Sequence, residues 1–206
     1  MLGVKASEFY TFLIYVTPVG SYFKSGLKSL NTIVTDKYHR VATKSIGFAK
    51  AVGNYAGTLL PYKEIVEDGY DEIIFLNASN ENIIDEARSA NIFVLKGNVL
   101  KTPMLQGSIL PGITRDSVIK VASRIFNLEV QEQDVSLDEL MNADEVFFTG
   151  TAAVIAPVGR IVYKNNENRF KISFEESITR KIRERLIDIQ YENIEDPFGW
   201  VIPLGR

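Results

Sequence analysis

The segment that decides the fold is EIIFLNASNENIIDEARSANIFVLKGNVLKT, residues 72–102. Its apolar and β-branched runs are short and alternate with turn-forming residues, which is typical of a meander of strands rather than of helices. Lys96-Gly97-Asn98 suits a hairpin between the last two runs. The segment therefore predicts four strands, Glu72 to Leu76, Asn82 to Asp85, Asn91 to Leu95 and Val99 to Thr102.

The residues before this meander predict a strand, a loop, a second strand and a helix. Phe9 to Val16 is rich in aromatic and β-branched residues and stops at the loop Pro18-Val19-Gly20. Leu30 to Thr35 is the second predicted strand. Asn54 to Val66 is predicted as a helix that Asp68-Gly69 ends, although it contains Pro61.

The residues after the meander alternate between helix and strand patterns. Thr114 to Phe126 has apolar positions at helical spacing, with Thr114 as an expected N-cap. Ser173 to Glu176 has the pattern of a capping box that opens a helix through about Tyr191. The sum is a mixed α/β fold with mainly antiparallel strands. The other predicted elements are strands at Glu129 to Val135, Glu145 to Thr149 and Arg160 to Tyr163, and a helix at Leu137 to Met141.

Composition limits the class of protein. With 206 residues, of which 46% are hydrophobic, the chain can bury the core of one principal domain. Its net charge is -3 and its pI is about 5.4, with both signs interspersed, so we expect no nucleic-acid partner. The apolar run Phe12 to Val16 is too short to span a bilayer, so we expect no membrane association.

Cysteine and histidine usage exclude several kinds of site. The chain has no cysteine and one histidine, His39. A disulfide framework and a thiolate nucleophile are therefore excluded, and Ser-His-Asp or multi-histidine metal sites would depend on His39 alone. We expect no metal. The absence of cysteine suits a reducing compartment, and we expect a cytoplasmic location.

Two segments could carry a nucleophile and an acid. Lys50 stands among small residues in AKAVGNY, where apolar neighbours favour a neutral amine, although a surface lysine before a turn is the alternative. In IIDEARSANIF, Asp85 or Glu86 at a strand end could keep a pyridine nitrogen protonated. A solvated acidic turn paired with Arg88 is the alternative there.

Two other segments could hold an anion. LPGITRD, residues 110–116, leads into a helix whose free N–H groups and dipole favour a phosphate, with Thr114 adding a hydroxyl. The alternative is an ordinary threonine N-cap. FTGTAA, residues 148–153, is a strand that runs into a turn of small residues, where Thr151 and the backbone amides could contact phosphate or carboxylate oxygens. The alternative is a plain bend of the strand.

In this order and spacing, the four segments resemble the fold-type IV pyridoxal phosphate enzymes, and the branched-chain amino acid aminotransferases most closely. The resemblance implies pyridoxal 5'-phosphate as cofactor. It also implies the C-terminal domain of that fold, a largely antiparallel pseudo-barrel sheet with surrounding helices. The most specific matches are KAxGNY at 50–55, LPGITRD at 110–116 and GTA at 150–152, with FGW at 198–200 as a minor match.

The resemblance implies roles for individual residues around the cofactor ring. Lys50 corresponds to the Schiff-base lysine, which also moves the proton between the substrate Cα and the cofactor. Tyr55 would contact the phenolic oxygen, and Glu86 the pyridine nitrogen. Ile113 and Thr114 would bind the phosphate through a backbone amide and a hydroxyl.

The resemblance implies further contacts in the turn at residues 150–153. Gly150 and Thr151 would lie at the phosphate, and the amides of Thr151, Ala152 and Ala153 would meet the substrate carboxylate. Arg40 lies where relatives place an arginine near the cofactor.

The same resemblance implies a domain organisation. Residues 1–23 would be the end of an N-terminal domain with its interdomain strand and loop, and residues 24–206 the cofactor-binding domain. The rest of the N-terminal domain has no counterpart in this sequence. Within the site, Val52 replaces a usual glycine and residues 85–91 replace a glycine-rich turn.

The resemblance implies transamination between branched-chain amino acids (leucine, isoleucine and valine) and 2-oxoglutarate, which becomes glutamate. It also implies a homodimer. The chain would be a fragment, a split-gene product or a short homologue. The alternatives are another fold-type IV activity, namely D-amino acid aminotransferase or aminodeoxychorismate lyase, and a non-catalytic remnant domain.

Overall fold

The computed structural model describes residues 3–18 and 27–203. These residues form a mixed α/β fold in which antiparallel strand pairs outnumber parallel ones, so the predicted fold class is confirmed. The strands are β1 (Leu30–Thr35), β2 (Glu72–Asn77), β3 (Asn80–Ala87), β4 (Asn91–Lys96), β5 (Val99–Thr102), β6 (Glu129–Glu132), β7 (Glu145–Gly150), β8 (Val154–Tyr163) and β9 (Asn166–Arg169). The α-helices are α1 (Val52–Ala56), α2 (Leu59–Glu67), α3 (Ile113–Arg124), α4 (Leu137–Met141) and α5 (Ile178–Gln190).

The strands of the described residues form one sheet in the order β3-β2-β1-β8-β7-β4-β5-β6, with β9 also paired to β8. The long strand β8 joins the two halves, because its first residues pair with β7 and its later residues pair with β1. The directions of the strand pairs bring several strand ends to one end of the sheet. The strands that begin there are β1, β2, β4 and β8, and the strands that finish there are β3 and β7. The loops at that end build the candidate site described below.

Apolar side chains cover both faces of the central strands, because successive residues of a strand point to opposite faces. Phe93 of β4 and Phe147 of β7 stack at 5.1 Å between ring centroids and pack under α3 and α5. Their neighbours Ile92 and Phe148 pack on the other face with Leu140 of α4. The strands at the site are thus held between two cores.

The helix predicted over Asn54 to Val66 is divided in two in the structure. The division between α1 and α2 falls at Gly57 and Thr58, and it moves Pro61 into the first turn of α2. A proline is tolerated there because the first N–H groups of a helix need no partner within the helix. No helix formed by residues 3–18 and 27–203 is long and apolar enough to cross a bilayer.

The strand predicted over Phe9 to Val16 is not formed. The segment lies exposed, with Phe12 at 88% and Val16 at 95% of their full exposure, and it belongs to none of the strand pairs of the described residues. Strand propensity is insufficient because the backbone of a strand needs a neighbouring strand for its hydrogen bonds. Val19 and Gly20 of the predicted loop lie outside the described residues.

Two predicted helix caps are wrong. Gly112, not Thr114, is the N-cap of α3, and no side chain caps that helix. Ser173 caps a short 3-10 helix, and its hydroxyl donates to the Glu176 carboxylate rather than bonding to the helix backbone. Helix α5 begins after Ser177, whose hydroxyl accepts from the N–H of Arg180. A serine followed by acidic residues thus marks the neighbourhood of a helix start, while the backbone path decides which residue caps it.

Candidate active site

A cavity of about 780 Å³ lies at the end of the sheet where β3 turns into β4 and β7 turns into β8. Residues from the start of α1, the start of α3 and the start of β8 close it. Every residue that the sequence predicted for the site lines this cavity: Arg40, Lys50, Tyr55, Glu86, Ile113, Thr114, Gly150, Thr151, Ala152 and Ala153.

Lys50 and Tyr55 form the reactive side of the cavity. The Lys50 Nζ donates a hydrogen bond to the Tyr55 hydroxyl at 2.9 Å. The segment is held by Asn54, whose buried amide donates to the carbonyl oxygens of Ile46 and Ala49. Lys50 itself is exposed, so the described residues do not bury its amine in the way the sequence predicted.

Val52, which replaces a glycine in the matching motif, does not disturb this arrangement. Its side chain is 84% exposed, and Val52 is not among the residues that line the cavity. A Cβ at Gly53 would also meet nothing within 4 Å. The geometry of the Lys50–Tyr55 pair therefore depends on Asn54 rather than on small residues at either position.

Glu86 is the buried acid of the site. One of its carboxylate oxygens faces the Arg40 guanidinium and accepts from the Leu110 N–H at 3.2 Å, and the other accepts from the Asn91 amide at 3.0 Å. Burial raises the pKa of Glu86 to about 8, while Arg40 and the Leu110 N–H oppose that rise. Of the two candidates in this segment, Glu86 rather than Asp85 lines the cavity.

Arg40 is the buried cationic partner of Glu86. It is buried, and its guanidinium is occupied by Glu86 and by the carbonyl oxygens of Gly47 and Ser108. Arg40 is therefore positioned to hold Glu86 and the loop around Ser108, and it also lines the cavity, where its buried Nε has no partner among the described residues.

The anion-binding side is built from the start of α3 and the β7–β8 turn. The first N–H groups of α3 have no side-chain cap, and Thr114 stands in its first turn. Thr151 faces the same cavity, and the buried Thr149 hydroxyl beside it has no partner among the described residues. Free N–H groups, the positive end of a helix dipole and hydroxyl groups together fit a phosphate.

A further wall of the cavity was not predicted from the sequence. Arg88 stacks over the Tyr62 ring at 3.9 Å and lies 3.7 Å from the Glu72 carboxylate. Burial raises the pKa of Glu72. These residues come from β2, α2 and the turn after β3, so only the sheet order brings them together.

Asn91 was also missed in the sequence. A lone polar residue at the start of the apolar run Ile92–Leu95 is the signal that could have drawn attention to it.

The donor set fits a pyridoxal phosphate. The cavity offers an amine next to a phenol, a buried carboxylate for a pyridine nitrogen, and an uncapped helix start for a phosphate. Within residues 3–18 and 27–203, no group of three His, Cys, Asp or Glu side chains could hold a metal ion.

Comparison with known proteins identifies the family. The family model described as amino-transferase class IV matches residues 3–161. The chain belongs to this family. Class IV aminotransferases are pyridoxal phosphate enzymes, as the resemblance of the four segments implied.

Curated relatives of this class IV aminotransferase chain are branched-chain aminotransferases. It is 41% identical to branched-chain amino acid aminotransferase 2, chloroplastic, of Humulus lupulus, over 100% of this chain and 50% of that protein. It is 40% identical to a branched-chain-amino-acid aminotransferase of Staphylococcus epidermidis, over 100% of this chain and 59% of that protein. The chain thus spans about half the length of the plant relatives that it matches.

Solved structures of the family have the same fold. The branched-chain amino acid aminotransferase of Escherichia coli matches with a TM-score of 0.76 and 34% identity, over 89% of this chain and 59% of that chain. The enzyme of Thermobaculum terrenum in its PLP form matches with a TM-score of 0.73 and 30% identity, over 82% and 53%.

Proposed function

We propose that this chain is the cofactor-binding part of a transaminase that moves an amino group between branched-chain amino acids and 2-oxoglutarate. The observation that carries the proposal is the meeting, in one cavity, of the Lys50–Tyr55 pair, the buried Glu86 and the uncapped start of α3. Bound pyridoxal phosphate supplies an electron sink for the carbanion that forms when the substrate Cα loses its proton.

Lys50 carries the amine that binds the cofactor covalently and then serves as the acid and base at the substrate Cα. Its Nζ lies 2.9 Å from the Tyr55 hydroxyl, so the tyrosine orients the amine and can share its proton. Tyr55 stands in α1, after Lys50 in the chain, and lines the same cavity, which suits a contact to the phenolic oxygen of the cofactor.

Glu86 holds a proton on the pyridine nitrogen. A pyridinium beside Glu86 would favour the ionised carboxylate, as Arg40 does, and so oppose the effect of burial on its pKa. Ile113 and Thr114 bind the phosphate through the α3 N–H groups and the threonine hydroxyl, and Gly150 and Thr151 close the phosphate site from the β7–β8 turn.

The substrate lies against the same turn. We expect the amides of Thr151, Ala152 and Ala153 to meet its carboxylate, because these residues line the cavity. The cavity wall also contains the apolar side chains of Leu30 and Ala156. An apolar wall suits a branched aliphatic side chain. The names of the curated relatives support the branched-chain substrate over the other fold-type IV activities.

A homodimer is part of the proposal. Val52, Leu59, Leu60 and Ile113 are each more than half exposed on the helices that border the cavity, with Val52 at 84% and Ile113 at 81%. Exposed apolar residues on helices that border the cavity suit a contact with a second copy of the chain. Light scattering of the purified chain tests the homodimer.

The domain division at residue 23 and the cytoplasmic location stay predictions. Limited proteolysis would test the domain division, and cell fractionation would test the location.

Cofactor trapping tests the proposal directly. The purified chain is mixed with pyridoxal phosphate, the visible Schiff-base band is recorded, and the adduct is reduced with borohydride and mapped. We expect one adduct, on Lys50, that is lost in Lys50→Ala and retained in Lys63→Ala, a matched change at an exposed lysine of α2 that does not line the cavity. Scattered adducts, or no visible band, would refute the proposed site.

A glutamate-dependent assay then tests the reaction. The chain is incubated with pyridoxal phosphate, leucine and 2-oxoglutarate, and glutamate formation is followed. Leucine should be preferred over its D-isomer. Preference for the D-isomer, or no turnover by a chain that forms the unreduced Schiff-base band, would remove the branched-chain assignment while leaving the cofactor site in place.

A further inference from the structure

Asn91 connects the buried acid of the site to the loop that leads into α3. It is the first residue of β4 and is 5% exposed. Its amide nitrogen donates to the Glu86 carboxylate at 3.0 Å and to the Leu110 carbonyl oxygen at 2.8 Å. Both protons of the amide are therefore used, one on Glu86 and one on the loop that leads into α3.

The oxygen of the Asn91 side-chain amide, Oδ1, lies directly against Gly112. A Cβ on Gly112 would lie 2.2 Å from the Asn91 Oδ1, so only a glycine can approach this closely. Gly112 is the N-cap of α3, and the free N–H groups of the anion side follow it directly. The amide of Asn91 thus contacts the residue that starts the phosphate side.

Only one orientation of the Asn91 amide satisfies these contacts. If the amide were turned over, its oxygen would face the Leu110 carbonyl oxygen, which can only accept a hydrogen bond. The Leu110 N–H also donates to Glu86 at 3.2 Å, so both polar groups of the Leu110 backbone are tied to the Asn91–Glu86 pair. A shift of Glu86 would therefore move the start of α3.

We propose that Asn91 is a positioning residue that couples the two ends of the cofactor site. This inference rests on the proposed function. A group bound at Glu86 fixes the position of the carboxylate, and the carboxylate fixes the Asn91 amide. Because this amide contacts Gly112, the start of α3 is then already ordered for a phosphate. By linkage, a phosphate bound at α3 raises the affinity at Glu86 by the same factor.

Separate probes for the two ends test the coupling. Pyridoxal lacks the phosphate and occupies the Lys50 and Glu86 end, while inorganic phosphate probes the start of α3. The dissociation constant of inorganic phosphate is measured calorimetrically with and without saturating pyridoxal. In the wild-type chain we expect pyridoxal to raise phosphate affinity about tenfold, within the usual range of coupling between sites.

Three variants assign the coupling to Asn91. Asn91→Ser removes the amide, and Gly112→Ala keeps Asn91 but fills the space of its Oδ1, so both should lower the factor to about one. Asn77→Ser is the matched control, because Asn77 is also 5% exposed and donates to Asp85 at 2.9 Å but does not line the cavity. It should keep the wild-type factor. If Asn91→Ser does not fold, Gly112→Ala decides.

The outcomes separate the coupling from the proposed function. A wild-type chain that forms no Lys50 band with pyridoxal phosphate overturns the proposed function and the coupling with it. A chain that forms the band, but in which pyridoxal leaves phosphate affinity unchanged, overturns the coupling alone. The coupling is also overturned if Asn91→Ser or Gly112→Ala keeps the wild-type factor by which pyridoxal raises phosphate affinity. Loss of this factor in Asn77→Ser overturns it as well.

Discussion

Replacement of Glu86 by glutamine should change how the stability of the cofactor-free chain depends on pH. Burial raises the pKa of Glu86 to about 8, from 4.5 for an ordinary glutamate. Between these values the folded chain holds a proton that the unfolded chain has released. The contribution to stability is therefore complete below about pH 4.5 and is lost as the pH rises through about 8. Glutamine resembles the protonated carboxyl and does not titrate.

The size of the effect follows from the change in pKa. At 1.36 kcal/mol per pH unit, the difference between 4.5 and about 8 corresponds to a full loss of about 5 kcal/mol. Between about pH 5.5 and about pH 8.5, the wild-type chain should lose about 3 kcal/mol more of its free energy of unfolding than Glu86→Gln. Titrating groups common to both chains cancel in this comparison.

Urea unfolding at the two pH values measures the difference. Glu64→Gln is a suitable control, because Lys37 lowers the pKa of this more exposed carboxyl and Glu64 stays ionised throughout the range. It should follow the wild type. The reasoning is refuted if Glu86→Gln loses as much stability as the wild type. In that case Glu86 is ionised at both pH values, and its pairing with Arg40 outweighs the cost of burial.

Three other changes test the local structure of the site and its support. Tyr55→Phe removes the hydroxyl that orients Lys50 and should weaken pyridoxal phosphate binding about tenfold, measured by fluorescence titration, with the unfolding midpoint unchanged. Gly47→Ala would place a Cβ 2.2 Å from the Ser108 carbonyl oxygen and should cost about 2 kcal/mol in urea unfolding, whereas Gly53→Ala, with open space around it, should stabilise the chain by about 0.5 kcal/mol. Equal effects at the two glycines would contradict this. Ser136→Ala breaks the capping box of α4 and should cost about 1 kcal/mol, and a change within measurement error would mean that this helix needs no cap.

Much of the fold was predicted because its signals are local. The hairpin at Lys96-Gly97-Asn98 and the strand Val99–Thr102 depend on residues close together in the chain, and both occur as predicted. The strand Leu30–Thr35 also occurs with its predicted limits. Prediction failed for a segment that finds no partner strand among the described residues. Phe9 to Val16 has the composition of a strand and forms none in the structure.

The candidate site was predicted in part for a related reason. Its residues lie in short motifs that resemble a family, so Lys50, Tyr55 and Glu86 could be named from the sequence, and the structure places them around one cavity. The roles assigned to them stay predictions. Arg40 was expected near the cofactor without a stated contact, and its pairing with Glu86 could not be read from residues 46 positions apart.

The sequence by itself determined the family, the order of most elements and the residues available for chemistry, because each depends on composition and spacing along the chain. Only the tertiary structure decided how those residues contact one another. The Asn91 amide reaches Glu86, Leu110 and Gly112 because β4 begins beside the end of β3 and under the loop before α3. Such contacts follow from strand register and loop path, since one displaced residue would turn the Asn91 side chain to the opposite face of the sheet.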